Sequence, residues 1–368
     1  MKILIWTGYQ NPHWNKSTWD NKGIGGSEYC ILKLAKYFTK CGHNVMVSGD
    51  VIQGKFDNVQ YIHYEKFLEW RGPVGHKNPN ALKVFSHFDV VIGANYLNYA
   101  KHLEDNKITY DQSYFWMHNE DYYKWYKGGE LKNTEDYLHT PKLNKIVGVS
   151  KFHEDLLKNN AKSLFDYTQE KAIDTISHMN NAIDVNDYTN SLNNKVKGRV
   201  IWSSSPDRGL DFILQNWDSW KEQRPDLSLV VCSPPYSKNW SKADMSKLKD
   251  VEWKGALNPV QLREEQSKAE YWVYASDYTE TYCITALEMM LQKVKIITNG
   301  AGNIKNLIAD GQRGILIDEI DSNVIIDHLK SGYDKNMIER AYNYAANQSW
   351  ENRTIEWLNL IKDEAKKV

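Results

Sequence analysis

Cysteine is scarce in this chain, and its four copies do not form a pattern. Cys30, Cys41, Cys232 and Cys283 lie far apart, with no C-x-x-C unit and no histidine at metal-binding spacing. That argues against a disulfide framework and a structural zinc site, and it fits a reducing compartment. Long apolar runs are missing as well. No window nears the roughly 18 residues of a membrane span, and "MKILIW" meets Asn11 and Pro12 too soon for a signal peptide. A cytoplasmic location is expected, with peripheral membrane contact left open. Charge of one sign is absent: 46 Lys and Arg against 47 Asp and Glu leave a net charge of -1. No basic footprint marks a nucleic-acid binder. There is no D-x-D triplet and no H-x-x-x-H cluster, so a metal bridging two aspartates to a diphosphate lacks a ligand set. No metal and no cofactor are expected.

What is present is an ordinary globular composition, 368 residues at 41% hydrophobic, enough for two domains. Fourteen Trp and 23 Tyr offer faces that could stack on sugars, though most should serve packing. The first half contains the strand candidates "KILIW", "NVMVSG", "VQYIHY", "DVVIGAN", "SYFWMH", "KIVGVS" and "DTISHMN". Their near-continuous apolar character predicts strands covered on both faces. Between the first two, Ile31, Leu34, Ala35 and Phe38 fall on one helix face. The pattern restarts with "RVIW", "LSLVVC", "VEWKG", "YWVYAS", "KIITN" and "GILID", beyond a polar stretch at 184–198 that reads as a linker. Only helical segments follow. Alternating strands and helices predict two α/β domains with parallel sheets, and a ligand site in the cleft between them, beyond the carboxyl ends of the strands.

Four places carry candidate chemistry. "GIGGSE", Gly23 to Glu28, precedes the first amphipathic helix and offers backbone amides to an anion. It fails as a dinucleotide fingerprint, because Glu28 stands where glycine is needed; a flexible loop with a Ser27 helix cap is the other reading. Arg208 in "SSSPDRGLD" sits where a strand meets a helix, either as a phosphate clamp or as a surface arginine. "DYTETYCITALEMM" sets Glu280 at a strand's end and Glu288 inside a helix, with the amides of Thr281, Tyr282, Cys283 and Ile284 as first-turn donors. Glu288 must turn to solvent or meet a ligand's hydroxyls, since an unpaired carboxylate among apolar neighbours is unfavourable. His118 ends another strand and is either structural or functional.

In this order the motifs resemble a retaining, family 4 glycosyltransferase of the GT-B fold, over nearly the whole chain. "GGSEYCILKLAKYFTKCGHNVMV" is similar to the Gly-Gly loop, helix and second strand of that family, "LNKIVGVSKFHEDLL" and "NNAID" to its passage between domains, "DRGLDFIL" to its phosphate-binding helix start, and "ETYCITALE" to its E-x7-E motif. "SWENRTIEWLNLI" resembles its terminal helix. The resemblance implies two Rossmann-like domains facing a cleft: residues 1–184, completed by about 350–368, on the acceptor side, and 185–349 on the nucleotide-sugar side, the C-terminal helix crossing back to the first domain.

It also implies roles. Gly25 and Gly26 border the diphosphate, and Arg208 replaces a phosphate-binding lysine. Glu280 faces the donor sugar with the amides after it, Glu288 takes the ribose hydroxyls, and His118 lies near the sugar. The family's Gly-Arg is replaced by Trp202, Ser203 and Ser204, and its Gly-x-Pro-Glu by a stretch with Asn303 and Lys305, where Lys305 could restore some positive charge. The expected activity is transfer of a hexose, with a slight preference for GDP-mannose over a UDP-sugar, to a hydroxyl acceptor such as a glycan. The loop "QNPHWNKSTWDNK" would help to set the acceptor. A homodimer is compatible. A non-catalytic nucleotide-sugar-binding protein is the alternative, along with a UDP-dependent glucosyl or N-acetylglucosaminyl transferase; a nicotinamide dehydrogenase is disfavoured by the failed glycine fingerprint.

Overall fold

The computed structural model describes residues 1–8, 13–65, 86–126, 129–132, 134–188, 194–233 and 247–367. Chain contacts divide it into two units, one made of 1–17, 26–181 and 350–368, the other of 18–25 and 182–349.

The first unit is built on a sheet whose strands are β1 (Lys2–Trp6), β2 (Asn44–Gly49), β3 (Gly54–Phe56), β4 (Val59–His63), β5 (His87–Ala94) and β6 (Thr109–Trp116). A two-stranded hairpin, β7 (Trp125–Tyr126) with β8 (Gly129–Glu130), stands apart, and β9 (Leu143–Gly148) and β10 (Ile176–His178) complete the sheet. Its order is β10-β9-β6-β5-β1-β2-β4-β3, parallel throughout except that β3 runs antiparallel to β4. All seven expected strands of this half are present. The Gly26–Lys40 helix buries Ile31, Leu34, Ala35 and Phe38 and packs on β2 and β4. It starts at Gly26, so Ser27 lies inside the helix and does not cap it.

The Trp350–Ala365 helix is part of this unit. It lays Trp350 against Tyr29 and Trp357 against Trp116, with ring centroids 6.3 and 5.5 Å apart. Large aromatic side chains of this kind contribute much of a core's apolar burial.

The second unit has six parallel strands, β11 (Arg199–Trp202), β12 (Ser228–Cys232), β13 (Val251–Gly255), β14 (Tyr271–Tyr274), β15 (Lys295–Thr298) and β16 (Ile315–Leu316). Their order is β13-β12-β11-β14-β15-β16. The chain therefore works outward from β11 to one edge, returns to β14 beside β11, and works outward to the other edge. This is the doubly wound Rossmann order, and the place between β11 and β14, where direction reverses, is its natural ligand crevice. The first unit repeats the scheme, with β1 between β2 and β5.

Candidate active site

Two loops leave the carboxyl ends of β11 and β14 at the switch point of the second unit, and both carry site residues expected from sequence. After β11, Pro206–Arg208 make one 3-10 turn and Gly209 follows in the left-handed region, φ 112°. A Cβ there would stand 2.3 Å from the Ala275 carbonyl oxygen, so only glycine lets this loop pass so close to the exit of β14. That approach puts Arg208 beside the Glu280 loop. Its Nη1 donates to Glu280 Oε1 at 2.9 Å, and its guanidinium carbon lies 4.1 Å from the Tyr278 ring centroid.

Glu280 is buried and held from several sides. Tyr274, the last residue of β14, donates its hydroxyl to Glu280 Oε1 at 2.5 Å. Burial first, and then the Glu280 carboxylate, push the Tyr274 phenol well above its ordinary range, so it stays a donor. Tyr274 stacks on Trp202 at 5.7 Å between centroids. Thus Trp202, one of the three residues standing where the related pattern has Gly-Arg, braces the tyrosine that fixes Glu280.

The backbone of Glu280 is gripped as well. The Asn303 amide donates to the Glu280 carbonyl at 2.7 Å, and Asn303 Nδ2 to the Tyr282 carbonyl at 3.1 Å. A Cβ on Gly302 would lie 2.4 Å from that same Glu280 oxygen. Lys305 is largely exposed, with Nζ 3.8 Å from Asp310.

The helix after this loop opens at Ile284, because Cys283 takes the left-handed conformation, φ 74°. Of the four amides expected in a first turn, only that of Ile284 is inside the helix; Thr281, Tyr282 and Cys283 form the approach to it. Burial and the Glu280 carboxylate raise the Cys283 thiol, which leaves it a poor nucleophile.

Glu288 is half-buried and does not simply turn to solvent. Gln266 Nε2 donates to its Oε2 at 2.8 Å and the Tyr188 hydroxyl to its Oε1 at 3.2 Å. Burial raises its pKa, and these two hydrogen bonds pull the other way. A carboxylate offers about four lone-pair directions. Among the described residues one on each oxygen is taken, so each oxygen can still accept from a further hydroxyl. Gln266 Oε1, fully buried, has no partner among the described residues.

The second unit thus pairs Arg208 with Glu280 and carries Glu288 in the helix that follows, with Gly25 on its short first segment, while Gly26 and His118 belong to the first unit. His118 lies just past β6 and is buried. Its amide donates to Asn95 Oδ1 at 2.6 Å. Burial, reinforced by His153, pushes its pKa down to about 3, so the imidazole is neutral near pH 7. Tyr188, Gln266 and Tyr274 were not singled out from sequence; each joins the site through a tertiary contact and carries no local motif. Asn303 was noted only as a departure from the Gly-x-Pro-Glu pattern, and its hold on the Glu280 loop was not foreseen.

Two doubly wound parallel sheets, the first completed by a helix from beyond the second, make this a protein of the GT-B fold. Residues 200–349 match the model of the family described as glycosyl transferases group 1. Lipopolysaccharide 1,2-N-acetylglucosaminetransferase of Salmonella typhimurium is 27% identical over 164 residues, 40% of this chain and 43% of that protein. The matching stretch thus spans less than half of that curated relative. Among solved structures, Anabaena HepE in complex with UDP-glucose superposes with a TM-score of 0.68 at 13% identity, covering 100% of each chain. Sucrose-phosphate synthase of Thermosynechococcus elongatus gives 0.71 at 11% identity, again covering 100% of each. Among the described residues no helix is long and apolar enough to cross a membrane.

Proposed function

We propose that this chain is a retaining glycosyltransferase that moves a hexose from a nucleoside diphosphate sugar to a hydroxyl acceptor such as a glycan, without a metal at the donor site. The observation that carries the reading is the Arg208–Glu280 pair at the switch point, with Glu288 one turn into the helix that follows and able to accept from two more hydroxyls. Arg208 is the cation for the leaving diphosphate, supported by the backbone of Gly25 and the start of the Ile284–Leu291 helix. Fixed positive charge at a developing anion is usually the largest single contribution a protein makes to such a reaction. Glu280, with the Thr281–Ile284 backbone, takes the sugar hydroxyls, and Glu288 takes the vicinal hydroxyls of the ribose. Gly26 and His118 keep the roles that the resemblance assigns. A neutral His118 can accept or donate a hydrogen bond to a sugar without adding charge.

For the donor, a UDP-sugar has gained support over GDP-mannose. One structural relative is named with UDP-glucose, and the curated relative is named for N-acetylglucosamine transfer. Calorimetric titration with UDP-glucose, UDP-N-acetylglucosamine and GDP-mannose, followed by single-turnover assays with labelled donor in chelator, tests the proposal. Binding of one donor with transfer or slow hydrolysis is expected. Binding without either would favour a non-catalytic nucleotide-sugar-binding protein, and no binding of any of the three would overturn both readings.

A further inference from the structure

The first unit gathers a second cluster of functional groups, made of residues given no role in the donor site above. It lies at the carboxyl ends of β1, β2 and β4. Parallel pairing sets His63, the last residue of β4, opposite Gly49, so that Asp50 follows directly beside it. Trp14, buried, forms a backbone bridge with Val51, and the Ile52 amide donates to the Trp14 carbonyl at 2.9 Å. His13 is therefore carried to the same place from the segment beyond β1.

The side chains converge accordingly. His63 Nε2 lies 3.2 Å and His13 Nε2 3.8 Å from the same oxygen, Asp50 Oδ1. The two imidazole centroids are 5.1 Å apart, and one ligand atom from each of the three residues lies within 4.8 Å of the others.

We propose that His13, Asp50 and His63 form a site for a divalent transition-metal cation of the zinc type. Zinc bonds of about 2.0–2.1 Å in a tetrahedron set neighbouring donors about 3.3–3.4 Å apart. The two separations to Asp50 bracket that distance, and His13, with a side chain 52% exposed, has freedom to close the third edge. Two imidazoles with one carboxylate suit zinc-like ions, whereas calcium and magnesium require a shell of oxygens.

Glu65 stands close by. Its backbone amide points to His63 Nδ1 at 3.4 Å, and its Oε2 lies 3.9 Å from the same nitrogen. With Nε2 on a metal, Nδ1 would carry the ring proton and give up that amide contact, and a turn of the exposed Glu65 side chain would bring its carboxylate to the proton, an arrangement that orients a ligand histidine. Three protein ligands leave a fourth position for water or a substrate oxygen. The ion would tie the segment after β1 to β2 and β4 at the ligand-facing end of the sheet. This site does not rest on the proposed activity. Spacing along the chain hides it, since the three residues belong to separate segments.

The test uses tag-free, chelator-stripped full chain, titrated with Zn2+ by calorimetry and with Co2+ by visible absorption. One ion per chain is expected, with Co2+ bands of a tetrahedral site. His13→Ala and His63→Gln should weaken binding by at least about 10-fold, and Glu65→Gln by about 10-fold, the range seen when outer partners of metal ligands are removed. His13→Ala, at an exposed side chain, keeps the fold and guards against a misfolded variant. His87→Ala, in a separate His–Asp group formed with Asp89 and Asp111, should leave binding unchanged. Failure of the wild type to bind either ion, binding unaffected by His13→Ala and His63→Gln, or displacement of Zn2+ by equimolar Mg2+ would each overturn the assignment.

Discussion

The Tyr274 hydroxyl and the Arg208 guanidinium donate to the same oxygen of Glu280, at 2.5 and 2.9 Å. One carboxylate oxygen is thus fixed by strand β14 and by the loop after β11 at once. Tyr274→Phe removes one of the two donors without opening a cavity. It should lower kcat by about 10-fold, the worth of one hydrogen bond to a charged group, while leaving donor affinity within about 2-fold. Single-turnover rates and calorimetry measure the two effects separately. Equal loss in both would mean that Tyr274 only shapes the pocket.

Arg208→Ala leaves Glu280 buried with Tyr274 as its remaining side-chain partner. Glu280 is buried but Arg208 is only half-buried, so the loss should fall below the roughly 3 kcal/mol of a fully buried pair and appear as a fall in Tm. Turnover should drop by about 100-fold or more, as expected when a fixed charge at the leaving group is lost. Arg208→Lys should recover stability better than rate, because an ammonium cannot reproduce the planar fork. Chemical denaturation beside transfer assays checks both arms.

Gly302→Ala is the most local probe of the Glu280 backbone. The residue has φ 64°, and the added methyl would stand 2.4 Å from the Glu280 carbonyl oxygen. The variant should lose about 2 kcal/mol or more in stability and most of its activity. A crystal structure should show the 280–282 segment displaced. Wild-type activity in this variant would separate that segment from the reaction.

Stability of the first unit should depend on pH through two buried histidines. Burial pushes His118 down to about 3 and His153 down to about 4, against an ordinary value of 6.5. Between those values and 6.5 the unfolded chain binds more protons than the folded one, so stability falls as pH falls through that window. The slope is about 1.4 kcal/mol per pH unit for each site. Above pH 6.5 this contribution is fully present and flat. His153→Asn should roughly halve the slope in denaturation measured from pH 7 to 4.5, and an unchanged slope would count against this account.

Strands were legible because they are apolar runs covered on both faces, as in "RVIW" and "YWVYA". The short β3, "GKF", was not, since three residues with one exposed carry no pattern. Sheet order was also hidden, and with it the reason that Arg208 and Glu280 meet: 72 residues separate them in sequence, and only β11 beside β14 brings them together. The E-x7-E spacing was readable, whereas the partners of Glu288 were not. Tyr188 lies in a stretch that reads as a polar linker, and Gln266 on a helix of low apolar content. The left-handed Cys283 starts the helix at Ile284, past Thr281, Tyr282 and Cys283, whose amides were expected in its first turn.

The first unit is discontinuous, and this sets the order in which it can be finished. Gln112 Nε2 donates to the Ile361 carbonyl across 249 residues, and Trp357 seats against Trp116 from the same helix. Until the chain beyond residue 349 has been made, the sheet around β6 lacks part of its cover and leaves aromatic surface open to solvent. Contacts of such long range slow folding and prolong exposure to aggregation. The second unit, apart from its short 18–25 segment, is contiguous from 182 to 349. It can close first, and the first unit completes its core last although most of it is synthesised earlier.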